Sequence, residues 1–315
     1  GVRPRRRAAL TLLTHANQKA EQAASEAEDG SIPLLDVTIA TLESISIQYG
    51  GETLTLRLSD DGWTLTEDPT YHLDDSACNT IRTALAGMKA KRQLEAQPGE
   101  DYGLADPAVT VTVTAAGETN TFAFGTENPV TGDLYVQKAG DDAVYTVSGN
   151  KAACFELTKA DLFGAFNPAG LTASALESVS ITTGSGTLAL NAVSEPAEAE
   201  SDSSEVRPIP PPIRPCGGWP TEPSADLDDS KVQSILSALA GYVTAQITDA
   251  DPSAYGFAAP LATVRAASAD GTVTLHYAEN ADGCWMMVEG DSSVYAVDLD
   301  TVQALLITAA ALKAE

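Results

Sequence analysis

Basic residues are scarce in this sequence. Only 18 Lys and Arg face 44 Asp and Glu, which gives a formal net charge of -26, and five of the 18 lie before residue 20. An acidic surface of this kind repels phosphate backbones and anionic lipid headgroups, so the composition argues against nucleic acid as a partner. The charge favours solubility; the alternative is attraction of cations or of a basic partner.

The motifs of nucleotide, metal and hydrolytic chemistry are also absent. Neither G-x-G-x-x-G nor G-x-x-x-x-G-K-[ST] occurs, and no stretch matches a calcium loop or a zinc spacing. The three histidines, His15, His72 and His276, stand far apart along the chain and form no local signature of a catalytic triad. We therefore predict no catalytic, cofactor or metal site and no enzymatic activity; a hydrolase with paired carboxylates is the enzymatic alternative.

Long apolar runs are missing, and none approaches the roughly 20 residues that a membrane-spanning helix needs. The first seven residues contain four arginines, followed by a short apolar stretch at 8–13. This pattern is typical of a worn or truncated export signal. Residues 18–30 are polar and rich in Ala and Glu, which suits a stalk. We predict a basic tail and stalk at 1–31, with a cytosolic basic tail as the alternative.

The sequence contains an internal repeat. "HLDDSACNTIRTALAG" at 72–87 returns as "DLDDSKVQSILSALAG" at 226–241 with nine identities. "LESISI", "DYGLADP" and "AVYTV" return in the same order as "LESVSI", "AYGFAAP" and "SVYAV". Matches in one order indicate a duplication. We predict a first repeat unit at 32–166 and a second at 167–315.

The second copy carries an insertion of about 20 residues before its helix, judged from the change in offset between the repeats. Residues 194–218 join an acidic, Ser-rich run to a proline-dense one. This composition does not pack into a core and favours extended conformations. We predict an exposed, mobile inserted loop; a ligand for a proline-recognising partner is the alternative.

Each copy shows one predicted order of elements. Alternating residues in "SISIQYG", "TLTLRLS" and "GWTLTED" predict a β-meander. Asp74 as N-cap, with Ile81 and Leu85 at helical spacing, predicts an amphipathic helix. Two β-hairpins follow, and then a short helix near 151–163. The predicted fold class is α+β: two tandem units, each a largely antiparallel β-sheet with helices packed on it.

The four cysteines do not form a disulfide framework or a C-x-x-C motif. Cys78, Cys154 and Cys284 align with aliphatic residues of the other copy, which favours core packing. Cys216 lies in the inserted loop, either as a free thiol or paired with another cysteine. The redox compartment stays open.

Paired aspartates precede both predicted helices, at 74–75 and 228–229. Adjacent carboxylates are found in calcium sites and catalytic dyads. They are also typical of helix starts, where they accept hydrogen bonds from free backbone N–H groups and complement the helix dipole. We favour capping.

Four repeated aromatic residues are the candidates for a ligand or interaction surface. Trp63 and Trp219 lie in the repeating strand pattern, and Tyr102 and Tyr255 begin the Tyr-Gly-x-x-x-Pro segment of each copy. Core anchoring is the first interpretation of the tryptophans, because the chain is poor in aromatics. Stacking against a ligand is the alternative.

The combination of Trp63 before "TLTEDP", a helix led by "LDDS", the "YGLADP" turn, a strand pair ending in Gly125, and "LYV" with "VYTV" resembles the domain of unknown function 4340 (DUF4340) family. The resemblance extends over about residues 40–160 and returns, more weakly, over 174–310. It implies an extracytoplasmic protein held by an N-terminal membrane helix and often encoded beside ABC transporter components. The tail's short apolar stretch does not match an intact anchor. The resemblance implies no activity and no binding residues.

The residues and the resemblance together predict a non-enzymatic, extracytoplasmic, membrane-anchored scaffold or interaction protein of the cell envelope, and the resemblance implies a bacterial accessory to an ABC-type transporter. The expected partners are transporter subunits or another envelope protein, with no nucleic acid, nucleotide or cofactor, and with membrane contact only through the N-terminal anchor. The functional alternative is a secreted module that binds carbohydrate or another small ligand. The alternative location is the cytoplasm.

Overall fold

A computed structural model describes residues 32–35, 39–97, 99–192, 213–214 and 227–313. It divides into two compact units between Gly164 and Ala165, here called unit 1 and unit 2. The predicted tail at 1–31, most of the inserted loop at 194–218 and Trp219 lie outside the described residues, as do His15 and Cys216. Within the described residues no helix is both long and apolar enough to span a bilayer.

The α+β fold class is confirmed, because antiparallel sheets and helices make up the described chain. In unit 1 an eight-stranded sheet has the order β4-β3-β2-β7-β8-β9-β10-β6, and β1 pairs with β5 beside it. The strands are β1 (Ile32–Pro33), β2 (Leu42–Tyr49), β3 (Glu52–Ser59), β4 (Gly62–Leu65), β5 (Lys89–Ala90), β6 (Arg92–Leu94), β7 (Val109–Ala115), β8 (Glu118–Glu127), β9 (Asp133–Lys138) and β10 (Val144–Ser148).

One face of this sheet forms the core of unit 1. In β7 the valines of "VTVTVTA" are buried and the threonines between them are half-buried on the other face, as the alternation predicts. Helix α1 (Asp75–Ala86) covers the core face with Cys78, Ile81 and Leu85. The predicted closing helix is replaced by shorter turns: α2 (Gly149–Ala152) and 3-10 turns at Ala153–Phe155 and Lys159–Leu162. A further 3-10 turn at Ile39–Thr41 precedes β2.

The start of α1 is fixed by its predicted N-cap. Asp74 accepts hydrogen bonds from the backbone N–H groups of Ser76 (2.7 Å) and Ala77 (3.3 Å). In unit 2, Asp228 caps helix α3 (Asp229–Leu239) in the same way, with bonds from Ser230 (3.0 Å) and Lys231 (3.3 Å). The capping interpretation of both aspartates is confirmed.

Unit 2 contains a second eight-stranded sheet, in the order β13-β12-β11-β15-β16-β17-β18-β14. Helix α3 packs against α4 (Leu299–Leu305), and 3-10 turns lie at Ala173–Ala175 and Pro252–Tyr255. The strands are β11 (Leu176–Thr183), β12 (Gly186–Ala192), β13 (Ile213–Arg214), β14 (Ala245–Ile247), β15 (Ala262–Ser268), β16 (Gly271–Asn280), β17 (Gly283–Val288) and β18 (Val294–Val297).

The two sheets share detailed irregularities. The pairing of β2 with β7 shifts between Leu42 and Ser44, and the pairing of β11 with β15 shifts between Leu176 and Ser178. An isolated bridge joins the residue before each capping aspartate to the end of its unit, Leu73 to Phe163 and Leu227 to Lys313. The strand order and these irregularities thus agree between units, although bulges are local features that a fold does not require.

A shorter connection between β16 and β17 explains why the offset between corresponding residues of the two units falls from 153 to 150. Strands β8 and β9 are joined by five residues, 128–132, whereas β16 and β17 are joined by two, 281–282. After this turn, the residue numbers of corresponding positions in the two units differ by 150 instead of 153. The pairing of β8 with β9 also shifts between Phe124 and Glu127, a shift that the pairing of β16 with β17 does not have, but the strand order is the same in both units.

Candidate functional site

Trp63, the first candidate, is part of the core of unit 1. It lies on β4 with 9% of its surface exposed. Its indole N–H donates to Asn79 Oδ1 on α1 (3.3 Å), and the guanidinium of Arg82 lies 5.8 Å from the ring centre. These contacts attach strand β4 to the helix through hydrogen bonding and a cation–π interaction. The buried ring offers little surface for stacking a ligand.

In the register of unit 2, the position that corresponds to Trp63 is occupied by Ile213. Trp63 pairs with Leu58 of β3, and in unit 2 the last residue of β12, Ala192, pairs with Ile213 of β13. Leu58 and Ala192 occupy the same register position, 134 residues apart. The backbone therefore places Ile213 where the sequence alignment put Trp219.

Tyr102 of unit 1 is also buried, at 9% exposure, in a small cluster with Tyr135 and Val144 on the sheet face opposite the helix. The rings of Tyr102 and Tyr135 meet edge to face, 4.9 Å between centres. The Tyr102 hydroxyl donates to Glu100 Oε2 (2.8 Å) and accepts from the Gln97 N–H (3.3 Å). Burial, with the bond to Glu100, raises the pKa of Tyr102 to about 12.

Glycines let the Tyr-Gly segment lie directly on the sheet. In unit 1 the carbonyl of Tyr102 accepts from the Thr126 N–H (2.9 Å), and a Cβ on Gly125 would lie 2.1 Å from that carbonyl oxygen. In unit 2, Gly256 has φ +89°, and a Cβ there would lie 2.5 Å from the carbonyl oxygen of Glu279. Only a residue without a side chain permits this approach.

The same segment in unit 2 brings Tyr255 against Trp285. Their rings meet edge to face with centres 4.7 Å apart. Trp285 has the register position of Tyr135, but both Tyr255 and Trp285 are half-buried, whereas the pair in unit 1 is buried. Sequence reasoning missed Trp285; the signal was its distance of 150 residues from Tyr135, equal to the offset of the neighbouring strands.

An asparagine anchors each of these aromatic pairs. Asn128 donates through Nδ2 to the Tyr135 hydroxyl (2.8 Å) and caps its turn through Oδ1. Asn280 accepts the Trp285 indole N–H at Oδ1 (2.8 Å) and donates through Nδ2 to the carbonyl of Ala254 (3.1 Å). In unit 2 this single side chain therefore links the hairpin, the tryptophan and the Tyr-Gly segment.

The thiols of the described residues are poorly suited to nucleophilic chemistry. Cys78 is fully buried, and burial together with Asp75 and Asp74 raises its pKa to about 12. Burial raises the pKa of Cys154 and of Cys284 as well. A thiol with a raised pKa is protonated at neutral pH and reacts slowly. The core-packing interpretation is confirmed for Cys78; Cys154 and Cys284 are half-buried.

The described residues contain no group of three His, Cys, Asp or Glu arranged to hold a metal ion. The core of unit 1 encloses a cavity of only about 10 Å³ between α1 and the sheet, lined in part by Met88, Phe124 and Phe155. This is about the volume that one water molecule requires. The cavity therefore has no room for a substrate or a cofactor.

Comparison with known proteins gives one family. The family model described as "Domain of unknown function (DUF4340)" matches residues 63–260, which is more than half of the chain and crosses the division between the units. No curated protein and no solved structure matches. The segment that begins at Trp63 and ends at the proline of the second Tyr-Gly segment carries the match. The chain belongs to the family of the domain of unknown function DUF4340.

Proposed function

We propose that the protein is a non-enzymatic scaffold that presents a sheet surface to a partner in the cell envelope. One observation carries the proposal: the paired aspartates and the buried thiol serve the fold, whereas one face of the sheet of unit 1 is lined with polar side chains. The paired aspartates cap helices and Cys78 is buried, but the face of β2, β3 and β7 opposite α1 carries half-buried serines and threonines. A sheet face lined with polar side chains suits protein contact better than catalysis, because small-molecule sites are concave.

The two units are tandem copies of one domain in this proposal. The shared strand order, the bulges after Leu42 and Leu176 and the bridges that close each unit support it. These details come from separate parts of the chain, so a common origin explains them together. Duplication gives the protein two related faces that can diverge.

The family resemblance and the basic start of the chain support the proposed location and the proposed partner. Members of the family that this chain resembles are extracytoplasmic and often encoded beside ABC transporter components, so the proposed partner is a transporter subunit or another envelope protein. The proposed attachment is an N-terminal anchor. The net charge of -26 is consistent with a soluble body that does not adhere to anionic lipid.

The test is chemical cross-linking of the full-length, natively anchored protein in its own membranes, followed by purification and mass spectrometry. We expect transporter subunits among the cross-linked proteins and their absence in cells that lack the protein. Recovery of the protein alone, under conditions that preserve a known membrane complex, would overturn the scaffold function.

The second candidate function is binding of carbohydrate or another small ligand. The half-buried ring pair Tyr255 and Trp285 favours it, since partly exposed aromatic rings stack on sugars. The buried Trp63 and Tyr102 give it no support in unit 1. A shift of tryptophan fluorescence on addition of glycans would support this candidate, and an unchanged spectrum would remove it.

A further inference from the structure

One face of the sheet in unit 2 carries half-buried aromatic and Met side chains, whereas the equivalent ring pair of unit 1 is buried. In β16, Leu275 and Tyr277 are 0% and 1% exposed and belong to the buried face, so His276 between them points to the opposite face. In β17, Met286 is 5% exposed, so Trp285 and Met287 likewise point away from the buried face. All three of these residues are half-buried.

Strand register makes these side chains neighbours. His276 pairs with Met287 on one side and with Thr263 on the other, and the Thr263 hydroxyl lies 3.2 Å from His276 Nδ1. Trp285 pairs with Ala278, two positions along the same strands, and contacts Tyr255. We call Tyr255, Thr263, His276, Trp285 and Met287 the β15–β17 patch.

The patch is held in place before any partner arrives. The Trp285 indole is hydrogen-bonded to Asn280, and Asn280 is bonded to the backbone of the segment that carries Tyr255. Ordering side chains costs free energy on binding, so residues already fixed in position lose less when they become an interface.

The corresponding face of unit 1 has a different chemistry. Ala123 stands in the place of His276, Gln137 in that of Met287, and Tyr135, at 8% exposure, in that of Trp285. The frameworks agree while the side chains do not. The units differ on the sheet face opposite the core, because the buried residues that form the core are mainly apolar in both units.

The composition of the patch is that of a protein interface. Trp, Tyr and Met are enriched at the centres of such interfaces, and the patch lies on a flat sheet rather than in a cleft. Exposed carboxylates flank it along the chain: Asp251 lies four residues before Tyr255, Asp282 lies in the turn between β16 and β17, and Glu289 lies two residues after Met287. Arg265, also exposed, is the basic exception.

We infer that the β15–β17 patch is the surface by which this protein binds a partner protein with an apolar centre and a basic rim. The acidic rim and the net charge of -26 set this charge requirement. A second copy of the chain is disfavoured because its rim would carry the same sign. This inference rests on the proposed scaffold function and locates it in unit 2.

The test places a photo-activated cross-linking amino acid at Met287 and, as matched control, at Gln137, its register equivalent in unit 1. Both variants are made in the full-length protein in the cells that express it. We expect a discrete cross-linked protein from position 287 alone, lost when Trp285→Ala is added. Equal cross-linking from both positions would overturn the inference.

The cross-linked protein is then identified, purified and titrated against the full-length chain. We expect Trp285→Ala and Met287→Arg each to weaken its binding at least about tenfold, whereas Gln137→Ala leaves it unchanged. Raising the salt from 50 to 500 mM should slow association. Circular dichroism checks that the variants fold, and Met287→Arg replaces a half-buried residue that the core does not need.

The outcomes separate this inference from the proposed function. Partners recovered equally well with Trp285→Ala would leave the scaffold function standing and overturn the patch. Recovery of no partner from any variant would overturn both. Cello- and chito-oligosaccharides serve as probes of the competing ligand: a fluorescence shift that Trp285→Phe abolishes would assign the patch to a neutral glycan and overturn the protein interface.

Discussion

The aromatic pairs of units 1 and 2 occupy the same place in two frameworks but have different relations to solvent. Tyr102 and Tyr135 are buried, whereas Tyr255 and Trp285 are half-buried. The glycine-dependent approach of the backbone that holds each pair is common to both. The backbone turn is therefore a structural requirement of the domain, whereas the aromatic residues attached to it differ between the units.

The largest loss of stability is expected from substitutions in the two cores, which test whether the cores are equivalent. Ile81 on α1 and Ile235 on α3 are 1% and 0% exposed. We expect Ile81→Ala and Ile235→Ala each to lower the free energy of unfolding of its own unit by about 2–5 kcal/mol, through lost apolar contact and the cavity left behind. Urea unfolding followed by circular dichroism measures both.

The controls are Thr80→Ala and Ser234→Ala, whose hydroxyls make the same bond to the carbonyl one turn earlier, 2.9 Å in each helix. These exposed positions should change stability by less than about 0.5 kcal/mol. A large loss in one unit and none in the other would show that the cores are not equivalent.

The next largest effect is expected from substitutions at the Tyr-Gly segment. Gly125 in unit 1 corresponds to Ala278 in unit 2; a Cβ on Gly125 would lie 2.1 Å from the carbonyl oxygen of Tyr102, whereas the chain at position 278 accommodates one. We expect Gly125→Ala to cost about 1–3 kcal/mol, because the backbone of Tyr102 must move. The matched Ala278→Gly should cost at most about 1 kcal/mol. Equal tolerance in thermal unfolding would contradict the close approach.

A smaller effect concerns the helix caps. Asp74→Ala removes the acceptor for two backbone N–H groups and should lower stability by about 1 kcal/mol. Asp60→Ala, in an exposed turn, serves as the control and should have almost no effect. Chemical denaturation at neutral pH distinguishes them, and indistinguishable curves would argue against capping.

The smallest effect is the pH dependence of the cap in unit 2. Hydrogen bonds from Ser230 and Lys231 lower the pKa of Asp228 in the folded state below its usual 3.8. Its contribution to stability is therefore present above pH 4 and is lost as the pH falls through the lowered folded pKa. The stability difference between the native chain and Asp228→Asn should shrink over this acid range. A difference independent of pH would contradict the assignment.

The elements with strong local signals were predictable from the sequence. The Val-Thr alternation of β7 and the aspartate caps depend on residues next to one another, and the structure has them as expected. Strands β5 and β6 were missed because they contain two and three residues, too few for a period to appear. Their positions depend on the partners they meet across the sheet.

The candidate site was harder to predict, since exposure is a property of the folded chain. The repeat pointed to Trp63 and Tyr102, and both are buried by residues distant in the sequence, including Asn79 and Tyr135. The repeat did not identify Trp285 as a site residue, because its counterpart in unit 1 is a tyrosine. The pairing of β16 with β17 was needed to bring it beside His276 and Met287.

The five-residue turn between β8 and β9 is a suitable site for inserting a label. The corresponding turn of unit 2 is three residues shorter, and Val130 in the turn of unit 1 is 84% exposed. Doubling the length of a loop costs only about 0.6 kcal/mol in closure entropy. An epitope or a fluorophore inserted beside Val130 would therefore report on the intact protein in cells without changing any residue of unit 2.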